Sequence, residues 1–310
     1  MDNPWLKVAI VQAKPVHFDL AQCLQKAITL IEEATAQGAN LVVFGETWFT
    51  GYPAWLDYCA DVAVWNYAPM KAVFARMYQQ SLAIDSPQMR LLQQTAKEKN
   101  TMLVFGFNEK VTEGAGSGTI YNSFAIINDK GEIQQHHRKL MPTYSEKLLY
   151  GMGDGQTLRA VNTPFGNIGG LICWEHWMPL ACQAMHMSHE QLHIALWPMV
   201  HEMHQIASRH YAFGGRCFVI AVGQMMQVND FPEELALSTQ FSFTPEHNIL
   251  RGGSCIIAPN GQFLVEPQFD SSETIIFEMP SLDEVYAERM ALDVTGHYNR
   301  QDVFNFSLKK

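Results

Sequence analysis

Three ionisable residues follow segments with the apolar pattern of buried strands, and their types are those of a covalent catalytic site. They are Glu46, Lys139 and Cys173. In layered α/β folds the strand ends form the floor of a site, so the three side chains converge if their strands lie adjacent. Together they supply a nucleophilic thiol, a base to deprotonate it and a cation to stabilise an anionic intermediate. Acyl transfer through a cysteine requires these three components.

Each residue also has a simpler interpretation. A cysteine in a soluble protein is commonly a small buried hydrophobe, and a glutamate after a strand commonly caps a helix or is solvated. Lys139 follows His136, His137 and Arg138, which is also typical of a basic surface patch. The pattern at three strand ends favours catalysis. In addition, Cys173 is followed by polar residues and by Pro179, which opens a helix, so its thiol is presented at the sheet edge.

The elements that must position these residues alternate between strands and helices. Periodicity predicts strands at 7–12, 41–44, 102–107, 194–198, 217–222 and 274–278, and hairpins at 120–137, 161–173 and 254–266. Helices are predicted at 20–36, 69–82, 87–99 and 202–214, from 179, and from a Ser281 to Glu284 capping box. We therefore predict one domain, residues 1–310, in which two mixed sheets pack face to face with helices outside.

Composition excludes several functional classes. The net charge is −10 and no Lys/Arg-rich run occurs, so neither nucleic acid nor an anionic membrane is an expected partner. No apolar run approaches the roughly 20 residues that span a bilayer, and the first residues lack the pattern of a signal peptide. The six cysteines are scattered without a CxxC pair, which indicates free thiols in a reducing cytoplasm.

Several segments resemble motifs of the carbon–nitrogen hydrolase superfamily, and of its nitrilase branch in particular. They are Phe44–Thr47, His137–Glu146, Leu171–Leu180 and, near the end, Gly296–Phe304. The resemblance covers nearly the whole chain, and the first three motifs stand in the family's order. It implies an α/β fold of the four-layer αββα sandwich type, which assembles into a homodimer or larger homo-oligomer.

The resemblance also implies roles for individual residues. Cys173 corresponds to the nucleophile, Glu46 to the general base and Lys139 to the stabiliser of the tetrahedral intermediate. Glu146 matches a second glutamate that shapes and polarises the site. Residue chemistry agrees, because a nearby lysine favours the thiolate and two carboxylates beside it divide their roles, one ionised and one partly protonated. The sequence does not assign those roles between Glu46 and Glu146.

The implied reaction hydrolyses an organic nitrile to a carboxylic acid and ammonia through a thioimidate and a thioester on Cys173. Two alternatives share the scaffold: an amidase or carbamoyl-type hydrolase, and a cyanide-processing member that releases an amide. A third alternative is a catalytically idle interaction scaffold, against which the intact Glu46, Lys139 and Cys173 argue.

The expected substrate is an uncharged small-molecule nitrile, because aromatic residues crowd the motifs. The residues predicted to bind it are Tyr52, Trp174 and Met199, and Trp48, Trp55 and Trp177 are further candidates for an apolar pocket. We expect no cofactor and no metal. His201, Glu202 and His204 suggest ligands, but they lack the HExxH spacing.

Overall fold

A computed structural model of the chain describes residues 5–309. The strands are β1 (Lys7–Val11), β2 (Leu41–Phe44), β3 (Met102–Lys110), β4 (Ile120–Ile127), β5 (Ile133–Arg138), β6 (Val161–Thr163), β7 (Gly166–Ile172), β8 (Leu192–Leu196), β9 (Phe218–Val222), β10 (Met225–Gln227), β11 (Asn248–Ile257), β12 (Phe263–Phe269) and β13 (Thr274–Glu278). The α-helices are α1 (Leu20–Ala36), α2 (Ala68–Gln80), α3 (Pro87–Lys99), α4 (Pro179–Met187), α5 (Glu202–Gly215) and α6 (Asp283–Arg289). Short 3-10 helices include Tyr144–Leu148 and Cys173–Trp177.

The first sheet is mixed and has the strand order β13-β1-β2-β3-β4-β5. Its central strands are apolar on both faces, as the alternation in β1 shows. Val8 and Ile10 face the second sheet, whereas Ala9 and Val11 pack in a separate core with residues of α1 and α3. Because successive side chains of a strand point to opposite faces, this pattern buries the sheet on both sides.

The second sheet has the order β10-β11-β9-β8-β7-β6, and β12 pairs with β11. Strands β7, β8 and β9 are parallel, and the remaining pairs are antiparallel. Met185 of α4 and Tyr211 of α5 pack into the core around these strands. The layers are therefore helix, sheet, sheet and helix, and the predicted αββα sandwich is confirmed.

Glycine in β7 permits the two sheets to approach each other closely. A Cβ atom on Gly170 would lie 3.3 Å from the ring of Phe124, which belongs to β4 of the first sheet, and 3.0 Å from the carbonyl of Ile194. A side chain at this position would therefore crowd both the Ile194 carbonyl and the Phe124 ring. The glycine pair before Cys173 thus has a packing reason, and it brings the end of β7 against the first sheet.

Capping side chains mark the starts of α1 and α3. The Asp19 side chain accepts from the Gln22 backbone N–H at the start of α1, and Ser86 accepts from Met89 at the start of α3.

Helix α5 ends at Gly215, within one residue of its prediction, and its C-cap Arg216 has a φ of +48°. Helix α2 ends at Gln80, two residues before its predicted end. The Ser281–Glu284 capping box does not form, because α6 begins later, with Leu282 as its N-cap, and the Ser281 hydroxyl accepts from Asp283. No helix within residues 5–309 is long and apolar enough to cross a membrane.

Candidate active site

Glu46 lies two residues beyond the end of β2, and its side chain is fully buried. Its Oε1 accepts from Asn122 Nδ2 at 2.7 Å and from Lys139 Nζ at 2.9 Å. Its Oε2 has no hydrogen-bond partner among the described residues. The loop approaches β3 closely because Gly106 has no side chain: a Cβ there would lie 2.8 Å from the Glu46 Cα. One oxygen of this carboxylate is therefore anchored, and the other is left free for chemistry.

Lys139 is buried between two carboxylates. Its Nζ lies 2.9 Å from Glu46 Oε1, and 3.0 and 2.8 Å from the two oxygens of Glu146. Glu146 also accepts from the Tyr52 hydroxyl at 2.8 Å and from the Thr143 backbone N–H at 2.9 Å. A single ammonium thus holds both glutamates, and Tyr52 is attached to the same cluster.

The three catalytic candidates converge, but not because their strands are neighbours. Strands β3 and β4 separate β2 from β5, and β7 belongs to the other sheet. Since β2 and β3 are parallel and β4 is antiparallel to both β3 and β5, the carboxyl ends of β2, β3 and β5 lie at one edge of the sheet. Gln224, just after β9, donates to the Glu46 carbonyl and links this edge to the second sheet. The condition of adjacent strands is therefore not met, and the side chains meet because the two sheets pack face to face.

Cys173 directly follows β7 and is the first residue of the 3-10 helix Cys173–Trp177. Its φ is +49°, in the left-handed region that non-glycine residues rarely occupy, and its side chain is buried. Burial raises the pKa of the thiol well above its ordinary value, and Glu46 and Glu146 add to this effect. Lys139 and the backbone N–H of Trp174 act in the opposite direction without prevailing. The expected thiolate is therefore not the resting form, and the thiol needs a base.

The pKa values of Glu46 and Lys139 are both raised, but for different reasons. Burial raises the pKa of Glu46 above its ordinary value, and hydrogen bonds from Lys139 and Asn122 only partly oppose it. Burial alone would lower the pKa of Lys139, but Glu146 and Glu46 raise it well above its ordinary value, so the ammonium is retained. A carboxylate with a raised pKa is suited to take and return a proton near neutral pH.

Comparison with known proteins places this chain in a family. The family model of carbon–nitrogen hydrolases matches residues 7–286. This chain belongs to the carbon–nitrogen hydrolase family. It is 36% identical to a nitrilase of Pseudomonas syringae pv. syringae over 96% of this chain and 88% of that one. It is 33% identical to an aliphatic nitrilase of Rhodococcus rhodochrous over 98% and 79% of the two chains.

The fold of this hydrolase has solved counterparts as well. A carbon–nitrogen hydrolase from Helicobacter pylori G27 superimposes with a TM-score of 0.73 at 18% identity, over 97% of each chain. The prediction of a carbon–nitrogen hydrolase similar to the nitrilase branch is confirmed.

Glu175 was not among the residues predicted from the sequence, although it joins the two strand ends that carry Lys139 and Cys173. Its Oε1 accepts from the Leu140 backbone N–H at 2.8 Å, and its Oε2 accepts from that of Ile172 at 2.7 Å. Burial opposes its ionisation, but the charge and hydrogen bonds of His137 and the two N–H groups lower its pKa overall. Its position two residues after Cys173 is the sequence feature that could have identified it.

The predicted substrate-binding residues of the hydrolase occupy different environments. Tyr52 is bonded to Glu146, as described, and Met199 is half-buried, with its Sδ accepting from the Arg251 backbone N–H at 3.3 Å. The Trp174 side chain is 53% exposed and packs edge-on against Trp177.

Trp48 was a wrong candidate for the pocket of the hydrolase. It is fully buried on the opposite face of the first sheet, where its indole N–H donates to the Ala13 carbonyl and its ring packs against Phe44. Its position soon after Glu46 was misleading, because the chain turns away from the site within two residues.

The two histidines at the start of α5 that suggested metal ligands, its N-cap His201 and His204, make other contacts. His201 Nδ1 accepts from the Met203 backbone N–H at the start of the helix, and His204 Nδ1 bonds to the Met199 carbonyl. Within residues 5–309 no group of three or more histidine, cysteine or acidic side chains is arranged to hold a metal ion.

Proposed function

We propose that this hydrolase converts an uncharged organic nitrile to a carboxylic acid and ammonia, with Cys173 as nucleophile, Glu46 as general base and Lys139 as stabiliser of anionic intermediates. The observation that carries the proposal is the free Oε2 of buried Glu46, in a cluster whose charges act on the Cys173 thiol. A protonated nucleophile beside a carboxylate of raised pKa is the arrangement that general-base activation requires.

In the first half of the reaction, the Cys173 sulfur attacks the nitrile carbon while Glu46 Oε2 takes the thiol proton. That proton passes to the nitrile nitrogen, giving a neutral thioimidate. A water molecule then adds to the same carbon, and Lys139 stabilises the negative charge that develops. The carbon–nitrogen bond breaks, ammonia leaves with a proton from the added hydroxyl, and a thioester remains on Cys173.

In the second half, Glu46 takes a proton from another water molecule, whose oxygen attacks the thioester carbonyl. The carbon–sulfur bond breaks, the proton returns to the sulfur, and the carboxylic acid is released. Glu46 therefore acts twice, whereas Glu146 remains paired with Lys139. The contact of Glu146 with the Thr143 backbone and with Tyr52 supports this division, because both of its oxygens are already occupied.

We further propose that Tyr52, Trp174 and Met199 bind the organic part of the nitrile. Tyr52 has the strongest support, because its hydroxyl contacts Glu146 inside the cluster.

We also propose a cytoplasmic location, which the six free thiols support, and a single domain over 1–310, which the core shared by both sheets supports. The chemistry of the cluster needs no cofactor or metal.

We also propose a homodimer or larger homo-oligomer. Apolar side chains are exposed on α4, on α5 and on the preceding 3-10 helix, namely Trp177, Leu180, Met203 and Ile206. The 3-10 helix contacts both α4 and α5, and exposed apolar surface commonly marks an interface. Sedimentation at several concentrations tests this, with Leu180→Glu expected to weaken assembly and Met290→Glu, just after α6, as the exposed control. A wild-type species of only 35.1 kDa would contradict the proposal.

The test of the activity is product analysis with phenylacetonitrile, an aliphatic dinitrile and their matching amides, with ammonia measured in parallel. We expect nitriles to give acid while the amides persist, and Cys173→Ala to abolish turnover. Cys255→Ala, which removes another buried thiol, is the control and is expected to remain active. Hydrolysis of amides alone would assign an amidase, amide as the sole product would assign a hydratase-like enzyme, and activity in Cys173→Ala would exclude the covalent mechanism.

A further inference from the structure

A second chain of buried polar groups lies behind Cys173. His176 Nδ1 is 2.7 Å from the Cys173 carbonyl oxygen, and His176 Nε2 is 2.9 Å from His193 Nε2. His193 Nδ1 is 2.6 Å from Glu190 Oε1, and the Tyr211 hydroxyl donates to Glu190 Oε2 at 2.6 Å. We call His176, His193, Glu190 and Tyr211 the relay. Its side chains are almost completely inaccessible to solvent.

The positions of the protons in the relay follow from which atoms can donate. The Cys173 carbonyl can only accept, so His176 must carry its proton on Nδ1. The Nε2 of a neutral His176 then accepts, so His193 must donate from its own Nε2. A neutral His193 therefore has an unprotonated Nδ1, and the 2.6 Å bond to Glu190 requires the proton to be on the carboxyl group.

We propose that Glu190 is a positioning residue: as a neutral carboxylic acid it donates to His193, sets the direction of each hydrogen bond in the relay, and thereby holds the Cys173 carbonyl. This inference rests on the proposed role of Cys173 as nucleophile. The held carbonyl belongs to the residue with φ +49°, so the hydrogen bond from His176 helps to maintain an unfavourable backbone conformation. The relay thus aims the thiol from behind without touching the substrate.

The surroundings of Glu190 favour its neutral form. Burial raises its pKa to about 7, against a smaller opposing effect of the Tyr211 hydrogen bond. The other polar groups facing it are His186 and Cys182 of α4, Cys217 before β9 and Arg289 of α6, whose guanidinium bonds to the Glu190 carbonyl. Burial lowers the pKa of His193 and of His186, to about 3 and about 4. The alternative with an imidazolium and a carboxylate is therefore disfavoured.

Glycine also makes room for this carboxyl group. A Cβ atom on Gly169 of β7 would lie 2.2 Å from Glu190 Oε1. The two glycines before Cys173 thus have separate functions, since Gly170 admits Phe124 and Gly169 admits Glu190.

Ionisation of Glu190 would reverse the relay. A carboxylate can only accept, so His193 would have to move its proton to Nδ1 and could no longer donate from Nε2. His176 would then have to donate from Nε2, which leaves its Nδ1 unprotonated and facing the Cys173 carbonyl. We therefore expect the wild type to lose this hydrogen bond, and with it turnover rate, as the pH rises through the pKa of Glu190.

The first test is independent of activity. Long-range 1H–15N correlation spectra of protein labelled with 15N-histidine report the tautomer of each ring, and the signals are assigned by their loss in His176→Asn and His193→Asn. At pH 6 we expect His176 protonated on Nδ1 only and His193 on Nε2 only, with both patterns reversing at alkaline pH. His193 protonated on both nitrogens at pH 6, or His176 protonated on Nε2, would overturn the proposal.

The second test compares two variants of one residue. In Glu190→Gln the amide NH2 donates to His193 and the amide oxygen accepts from Tyr211, so the relay keeps its direction at every pH. We expect a kcat within about twofold of wild type at pH 6 and loss of the relay-dependent part of the alkaline decline. Glu190→Leu removes the donor and is expected to lower kcat at least tenfold with little change in KM. A tenfold loss of kcat in Glu190→Gln at pH 6 would overturn the proposal. If neither the wild type nor any variant hydrolysed nitriles, the proposed function would be contradicted instead of the role of Glu190.

Discussion

Two buried polar regions meet at Cys173, and they are organised in opposite ways. On the first-sheet side, Lys139 lies between Glu46 and Glu146, and one oxygen of Glu46 has no partner within the described residues. On the second-sheet side, the relay from His176 to Glu190 pairs every ring nitrogen and carboxyl oxygen. The first region carries charge, whereas the second is neutral by its hydrogen-bond pattern.

The difference separates reactivity from positioning. A group that must take a proton from a substrate or nucleophile needs a free site, and leaving a buried polar atom unpaired costs roughly 1–3 kcal/mol. A group that only holds the backbone has no such requirement and can be fully paired. We therefore propose different roles for glutamate at positions 46 and 190, and the following predictions test that contrast.

The largest expected effect comes from Glu46→Gln. The amide is isosteric but cannot accept the thiol proton, so we expect kcat to fall by roughly 10²- to 10⁴-fold. The same substitution at Glu190, for which about twofold is expected at pH 6, is the matched comparison. Steady-state kinetics on one nitrile, with circular dichroism to verify folding, make the measurement. Equal losses in the two variants would remove the distinction between the regions.

Lys139→Met is expected to destabilise the fold because it leaves two buried carboxylates without their cation. Removing one partner of a buried ion pair costs roughly 3–5 kcal/mol. Urea unfolding measures the loss, which should be smaller at pH 5 than at pH 7 because protonation removes charge from the cluster. Lys99→Met breaks the partly exposed pair with Glu32 and is the control, with an expected cost below about 1 kcal/mol. If Lys139→Met lowered the unfolding free energy no more than Lys99→Met, the description of the Lys139 cluster as charged would be contradicted.

Much of this organisation could be predicted from sequence. The strand ends at Glu46, Lys139 and Cys173 were located because apolar runs and turn residues are local signals, and the motifs identified the family. Strand order was not predictable in this way, because β2 and β5 are brought to one edge by pairings through β3 and β4 that leave no local mark. The relay was missed for a similar reason, since His193 and Glu190 lie far along the chain from Cys173, and a buried histidine in a strand has no distinctive pattern.

Glu175→Gln tests how the two regions are joined. Glu175 accepts from backbone N–H groups beside Lys139 and beside Cys173, and the NH2 of glutamine would face one of these donors. We expect a loss of roughly 1–3 kcal/mol in unfolding free energy and a lower kcat with little change in KM. Glu113→Gln, in an exposed loop, is the control. A changed KM with an unchanged kcat would show that Glu175 serves substrate binding instead.

The smallest expected effect concerns the pH dependence of the charged region. Asn122 donates to Glu46 Oε1 and so favours the ionised carboxylate, against the effect of burial, which raises the pKa of Glu46. Removing this donor in Asn122→Ala should raise that pKa further, so less of the base is ionised at any given acidic pH. The acid limb of kcat/KM, which reports the free enzyme's base, should therefore move to higher pH by up to about one unit.

A shift of the acid limb to higher pH in Asn122→Ala would support Glu46 as the base. The control for this measurement is a second asparagine. Asn162→Ala removes an asparagine whose side chain bonds to Asn167 in the exposed β6–β7 hairpin, and its profile should match wild type. The relay does not contact Asn122, so the alkaline limb attributed to Glu190 should stay in place while the acid limb moves. If the acid limb is unchanged and activity falls equally at all pH values, Asn122 acts only in packing, and the base must be sought in Glu146 instead of Glu46.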